Sequence, residues 1–334
     1  MNITRTLFGS AGRSFLVGIA VMAVIFTVNY RHPDVMEIAE LSAGDLRMHL
    51  RHEQKPTGAV ALVAIDDDSI AKIGQWPWPR NVMADLVRTL SDYKVAVIGM
   101  DILFPEPDHT DSDHEALAAR LRAAGISAPL ITSALGPQND ASLADAMSRQ
   151  GSTYLAYPFE HHYFGIEQNA AARRAFTKTI LNPPPVTFNI ERNPPGPRPE
   201  LITANAYLPP TPVINQAARG TAFVNVDAEL DGIKRMIPTA ILFYHRFCVP
   251  LFLALVSAYR DHAKLELDLG KTSVNRVTVG TTVIPVDEIG RMFVDFRGRI
   301  GTIPTFSVSD VLSHRVPPEA LQKRTSFTAR EPLH

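Results

Sequence analysis

A chain of 334 residues, 46% hydrophobic and 20% charged, has room for one large domain or two small ones and enough apolar content to bury a core. Its formal net charge of −1 argues against nucleic acid as a partner, because phosphate binding needs a concentrated basic surface. The single cysteine, Cys248, excludes an intramolecular disulfide and any zinc cluster built on cysteines.

The first element is apolar. Residues 14–30, SFLVGIAVMAVIFTVNY, run for 17 residues without a charge, roughly 26 Å as a helix against a hydrocarbon core of about 30 Å. Arg13 and Arg31 can snorkel at its ends, and Tyr30 suits an interface. The run is longer than the apolar region of a cleaved signal peptide, about 7–15 residues, and no A-x-A-like site follows it. It predicts an uncleaved transmembrane helix in the lipid bilayer, with a cleaved signal or a buried soluble helix as alternatives. Arg5 and Arg13 precede the run, and Arg31 follows it. The positive-inside rule then puts residues 1–13 in the cytoplasm as a short tail. Residues 31–334 fall on the periplasmic or extracellular side of an inner, cytoplasmic membrane crossed once. Ser10, Ser14 and Gly18 recur every four residues. That spacing either lets two copies pair as a homodimer or is ordinary membrane-helix composition.

Residues 31–58 read as a juxtamembrane helix and linker, with Val35, Ile38, Leu41, Leu46 and Leu50 near helical spacing. Ala59 to Ile65 is a continuous apolar run of strand length, ending at Asp66-Asp67-Asp68-Ser69. Pro79 opens a helix through about Ser91, and a second apolar run, Val95 to Met100, ends in Asp101. Strand, helix and strand in that order predict a right-handed βαβ unit with neighbouring parallel strands. Further on come a helix over 113–124 and a strand over 152–157. The proline-dense excursion 182–212 cannot be a helix or a central strand. A short helix is expected over 212–219. Asp231-Gly232 reads as a hairpin turn between strands at 221–226 and 234–243. Residues 247–259, with Pro250, suit a core helix better than a second span. Strands over 274–279, 282–286 and 292–296 close the pattern. The fold class is α/β: a mixed, mainly parallel central sheet with flanking helices and an added hairpin, preceded by one transmembrane helix.

Asp66 and Asp101 each close a predicted parallel strand at its C-terminal end, where open α/β sheets bind ligands. Two carboxylates there repel unless a cation, a bound amine, an arginine or a shared proton relieves them. Arg80 is the nearest relief. The pair is read either as a ligand or cation site or as a structural network of capping carboxylates. Asp67, Asp68 and Ser69 suit caps of the turn SIAKI. Trp76 and Trp78, in Trp-Pro-Trp-Pro-Arg, either wall a ligand pocket or anchor the loop by packing. His109, Asp111 and Asp113 are weak candidates for a divalent metal, because the i, i+4 histidine pair of zinc helices is missing. His161-His162 reads as surface. No P-loop, G-x-G-x-x-G or G-x-S-x-G occurs, and no cofactor is expected.

The segments VALVAIDDDSIAKIGQWPWPR, VAVIGMDILFPEPD, GTAFVNVDAELDGIKR, VPLFLALVSAY and IPVDEIGRMFVDFRG, in that order, resemble the CHASE2 family. The resemblance covers about residues 35–321 and implies an extracytoplasmic sensory domain, here 59–321, of a bacterial signalling protein. Relatives continue into a cyclase or kinase output domain, and the resemblance carries over no catalytic residue. After Leu321 the family runs into an apolar strand, whereas this chain reads QKRTSFTAREPLH. Residues 322–334 are therefore expected to be an atypical tail on a truncated or frame-shifted sensor, leaving an exposed sheet edge. The sequence predicts a membrane-anchored sensor module with no enzyme in this chain and an unknown extracytoplasmic ligand. The alternatives are a metal-dependent hydrolase using Asp66, Asp101 and His109, and a non-catalytic envelope scaffold.

Overall fold

The structure is a computed structural model. It describes residues 10–31, 33–51, 55–136, 138–160, 177, 179–182, 184–192, 201–229, 231–271, 273–299 and 301–330. His161-His162 and the prolines at 194, 195, 197 and 199 lie outside the described residues. The chain divides into two units: Met1–Gln54 with Ala228–Arg235, and Lys55–Asp227 with Met236–His334.

The smaller unit holds helices α1 (Ser10–Arg31) and α2 (Pro33–Leu50). Proline suits the first position of α2, where its missing N–H would have no helical partner. From Arg13 to Thr27 every side chain is exposed, apolar ones included. Among the described residues no helix is long and apolar enough to cross a membrane. The expected transmembrane helix over 14–30 is therefore not found as such. This unit also contains the turn at Asp231-Gly232, with Gly232 at φ 81°. The N–H of Gly232 donates to the Glu229 carbonyl at 2.8 Å.

The larger unit begins with β1 (Val60–Ile65), whose Ala61, Val63, Ala64 and Ile65 are buried, as an apolar run covered on two faces requires. Then follow α3 (Asp67–Ile73), α4 (Arg80–Asp92) and β2 (Val97–Asp101). Met83, Leu86, Val87 and Leu90 form the buried stripe of α4. Next are α5 (His109–Ala123), α6 (Ala128–Leu135), α7 (Asn139–Gln150) and β3 (Thr153–Tyr157). The stretch expected to hold neither a helix nor a central strand carries two short strands, β4 (Asn189–Arg192) and β5 (Thr203–Ala204). Each lies at a sheet edge, clear of the prolines. After α8 (Pro212–Ala217) and β6 (Gly220–Phe223) come β7 (Met236–Pro238), β8 (Ile241–Phe243), β9 (Arg246–Cys248) and α9 (Leu251–Tyr259). The chain then forms β10 (Leu265–Leu269), β11 (Val274–Val279), β12 (Thr282–Ile284) and β13 (Arg291–Phe293). Last are β14 (Thr305–Ser307), α10 (Val308–Leu312) and β15 (Thr325–Arg330).

The central sheet runs β14-β1-β15-β2-β3-β6, and every pairing in it is parallel. One face packs on α4, α7 and α10 through Ala61, Val63, Ile98 and Met100. The other face packs on α9 and the β10–β11 pair through Val97, Tyr154 and Ala156. Gly99 lets β2 approach α9 closely, because a Cβ there would collide with the Leu255 side chain. Smaller sheets, β12-β11-β10-β4, β13-β7 and β5-β8-β9, make the fold mixed.

Two expectations are corrected here. The Asp231-Gly232 turn forms, but β6 and β7 do not pair across it. β6 pairs with β3 and β7 with β13, so the burial of each strand in its own sheet overrides the turn signal. The added hairpins are instead β8–β9 and the successive pairs β10–β11 and β11–β12. The second correction concerns residues 322–334. Thr325–Arg330 is a central strand, hydrogen-bonded in register to β1 on one side and β2 on the other. Main-chain bonds do not depend on side-chain polarity, and threonine and phenylalanine suit a pleated surface. The cost appears in the side chains. Ser326 and Thr328 point into the apolar layer beside Ala61, Ile98, Val63 and Met100, and neither hydroxyl has a hydrogen-bond partner among the described residues.

Candidate functional site

The carboxyl ends of β1 and β2 are not neighbours. β15 lies between them, which separates the strand axes by about 10 Å, twice the usual ~4.8 Å spacing. Asp66 and Asp101 therefore do not share a centre, and the metal-dependent hydrolase that needed both loses its constellation.

Asp66 is the N-cap of α3. Its Oδ1 accepts the Ser69 N–H at 2.9 Å and the Ser307 hydroxyl at 2.9 Å, the standard use of an aspartate before a helix. Burial alone would raise its pKa, but hydrogen bonds from Ser69 and Ser307 outweigh that and hold it below the usual value. Ser69 also bonds the Ser307 hydroxyl at 2.7 Å and accepts the Ser309 N–H at 3.1 Å. Asp68 pairs with Lys72. These groups tie α3 to α10 and commit Asp66 Oδ1 to capping.

The other four residues, Trp76, Trp78, Arg80 and Asp101, line one cavity of about 580 Å³. Asp101 is exposed at the end of β2. Desolvation by the surrounding protein raises its pKa, and no described residue is shown donating a hydrogen bond to its carboxylate. Trp78 is 3% exposed, and its Nε1–H donates to the Gly74 carbonyl at 2.6 Å, so it anchors the loop by packing. Trp76 is half-buried and meets Trp78 edge-on, with centroids 5.3 Å apart.

Arg80 starts α4, and its backbone N–H donates to Asp108 Oδ2 at 2.7 Å. Its guanidinium lies over the Phe104 ring, 4.8 Å from the centroid, and donates to the Glu106 carbonyl at 3.4 Å. Nε stands 3.7 Å from Asp140 Oδ1, and neither atom makes a hydrogen bond among the described residues. Burial raises the Asp140 pKa, only partly opposed by the Asp108 N–H and by Arg80.

The metal candidates separate. Asp111 accepts the Asn139 and Asp140 N–H groups at 2.6 and 2.8 Å, capping α7 from a neighbouring helix. Asp113 is exposed, and His109 is exposed at the cavity rim. Among the described residues no group of three or more His, Cys, Asp or Glu side chains is placed to hold a metal. Asp108 caps α5, as a polar loop feeding a helix N-terminus would. Sequence reasoning missed Asp140, whose signal was an Asn-Asp pair opening a helix.

Sequence reasoning also missed a second charged cluster, within the smaller unit. The Arg235 side chain is 3% exposed. Its Nε and Nη2 grip Asp45 of α2 at 2.7 and 2.6 Å. Nη1 donates to Glu229 at 2.8 Å and to Asp231 at 3.0 Å, and Nη2 to Asp231 at 2.8 Å. All five N–H donors of the guanidinium are thereby used. Hydrogen bonds to Asp45 first, then to Asp231, push the guanidinium pKa further up.

A family model described as the CHASE2 domain matches residues 18–327. No curated protein and no solved structure matches the chain.

Proposed function

The chain belongs to the CHASE2 domain family, a family of sensory, extracytoplasmic and non-catalytic domains, and from that premise we propose that it is the input module of a bacterial signalling protein whose ligand site is the cavity at the end of β2. One observation carries this reading. The cavity opens at the carboxyl end of a central parallel strand, where α/β sheets bind ligands, with Asp101 in its lining and no donor to that carboxylate shown among the described residues.

In this reading α1 holds the module to the inner membrane, with residues 31–334 outside the cytoplasm. The exposed apolar side chains all round α1 support that placement, since a helix apolar on every side needs lipid or a core. Although the charge-free run is short, the whole helix of 22 residues reaches roughly 33 Å, and Arg13 and Arg31 can snorkel at its ends. Two copies pair through α1, where Ser10, Ser14 and Gly18 recur.

Ligand binding shifts the domain between two arrangements by its differential affinity for them. The shift reaches α2 through Arg235, which is adjacent in sequence to Met236, the first residue of β7, and grips Asp45 of α2. Two experiments test the proposal. A periplasm-specific phosphatase fused after residue 60 should be active, and activity only from a cytoplasm-specific reporter at that point would reverse the topology. A fusion of this chain to a cyclase output domain should lose its stimulus response with Asp101→Asn. An unchanged response would remove the cavity from the mechanism.

A further inference from the structure

We infer that the cavity beside Trp76 takes an organic cation, held by the Asp101 carboxylate and the Trp76 indole; this rests on the ligand-site reading above. The argument is a balance of charge around one space. Asp101 and Glu106 bring two carboxylates to the lining. Arg80 also lines it, but its guanidinium lies over the Phe104 ring and donates to the Glu106 carbonyl, and its Nε is buried 3.7 Å from the Asp140 carboxylate, away from the open space. Asp108, buried, spends its oxygens on the N–H groups of Arg80 and Thr110. What faces the open space is therefore negative.

An anion would meet repulsion from Asp101. A neutral ligand would leave that carboxylate desolvated and unpaired, a costly state for a charge. A bare divalent ion wants six or more oxygens at close range, and no described cluster supplies them. An ammonium or guanidinium group on an apolar body satisfies both walls. The positive head pairs with the carboxylate, and the electron-rich Trp76 indole lining the same space attracts it further. The prolines at 77, 79, 105 and 107 in the lining fix backbone angles and make the pocket preformed, which lowers the ordering cost of binding. A volume of about 580 Å³ suits a small molecule rather than a macromolecule.

The chain contains two tryptophans, and both line this cavity, so intrinsic fluorescence reports on this site. The full chain in a maltoside detergent would be titrated with choline, with its neutral carbon isostere 3,3-dimethyl-1-butanol, and with acetate. The expected result is a saturable response to choline, with the neutral isostere and acetate at least about tenfold weaker. Asp101→Asn should weaken choline by a similar factor. An equal or stronger response to the isostere or to acetate overturns the cation class and leaves the cavity standing as a ligand site. A choline response undiminished in Asp101→Asn also overturns the proposal. No response to any of the three overturns the cation class together with the ligand-site reading. The choline-to-isostere ratio in the unaltered chain decides the matter even if the variant fails to fold.

Discussion

Arg235 and Arg80 use the same ingredients to opposite ends. Each is a largely buried arginine among aspartates and glutamates. Arg235 has a hydrogen bond for every guanidinium donor, and its fork meets the Asp45 carboxylate in bidentate fashion. Arg80 leaves Nε unbonded, 3.7 Å from an equally unbonded Asp140 oxygen, beside a cavity. The difference shows that the degree of saturation, rather than the number of charges, separates a clamp from a site with room to respond. A saturated guanidinium has one geometry, whereas an unsaturated one can shift at little cost.

Breaking the clamp should have the largest effect. Arg235→Met leaves Asp45, Glu229 and Asp231 facing one another without their cation, and like charges at close range repel. Amide exchange in 228–235 should accelerate by at least about tenfold, with the β1 amides unchanged. If exchange does not change, Arg235 is not a clamp. Arg80→Met should cost less, about 1–3 kcal/mol in chemical denaturation, because Asp140 can protonate when its partner is gone. A larger loss than for Arg235→Met would reverse the comparison.

The same logic applies to β15. Thr328→Val keeps the shape and removes a buried hydroxyl without a partner, so the chain should gain about 1–2 kcal/mol in denaturation. A loss would mean that the hydroxyl is bonded after all. Acid sharpens the contrast further. Asp231 is held below its ordinary pKa, chiefly by the hydrogen bond from Arg235. Its stabilising contribution is therefore fully present above the unfolded value of about 3.9 and is lost as pH falls through the lower folded value. Protection of the 228–235 amides, corrected for intrinsic exchange, should fall below that point, and Arg235→Met should remove or reverse that fall. Asp101 behaves in the opposite sense, because its raised pKa makes the charged form a burden once pH rises past the folded value. Asp101→Asn should thus raise the melting temperature slightly at neutral pH, and a fall would show that the carboxylate has a stabilising partner.

Much of the frame was legible in the sequence. The apolar runs at β1 and β2, the proline before α4 and the core helix α9 were read from period and punctuation, which local sequence encodes. β15 was not legible, because its polar residues gave no apolar signal and its place depends on ladder bonds to two distant strands. That insertion also parted Asp66 from Asp101. The Trp-Pro-Trp-Pro-Arg loop and Asp101 did converge on one cavity, since strand ends and the loops after them share an edge of the sheet. Arg235 escaped notice because its main partner, Asp45, lies 190 positions away.

The most direct test of the central claim needs no ligand. Quenching of the two indoles by caesium and by iodide, at matched ionic strength, reads the charge of the cavity that Trp76 faces. The account predicts stronger quenching by caesium, with the preference lost in Asp101→Asn. Stronger quenching by iodide in the unaltered chain would contradict it.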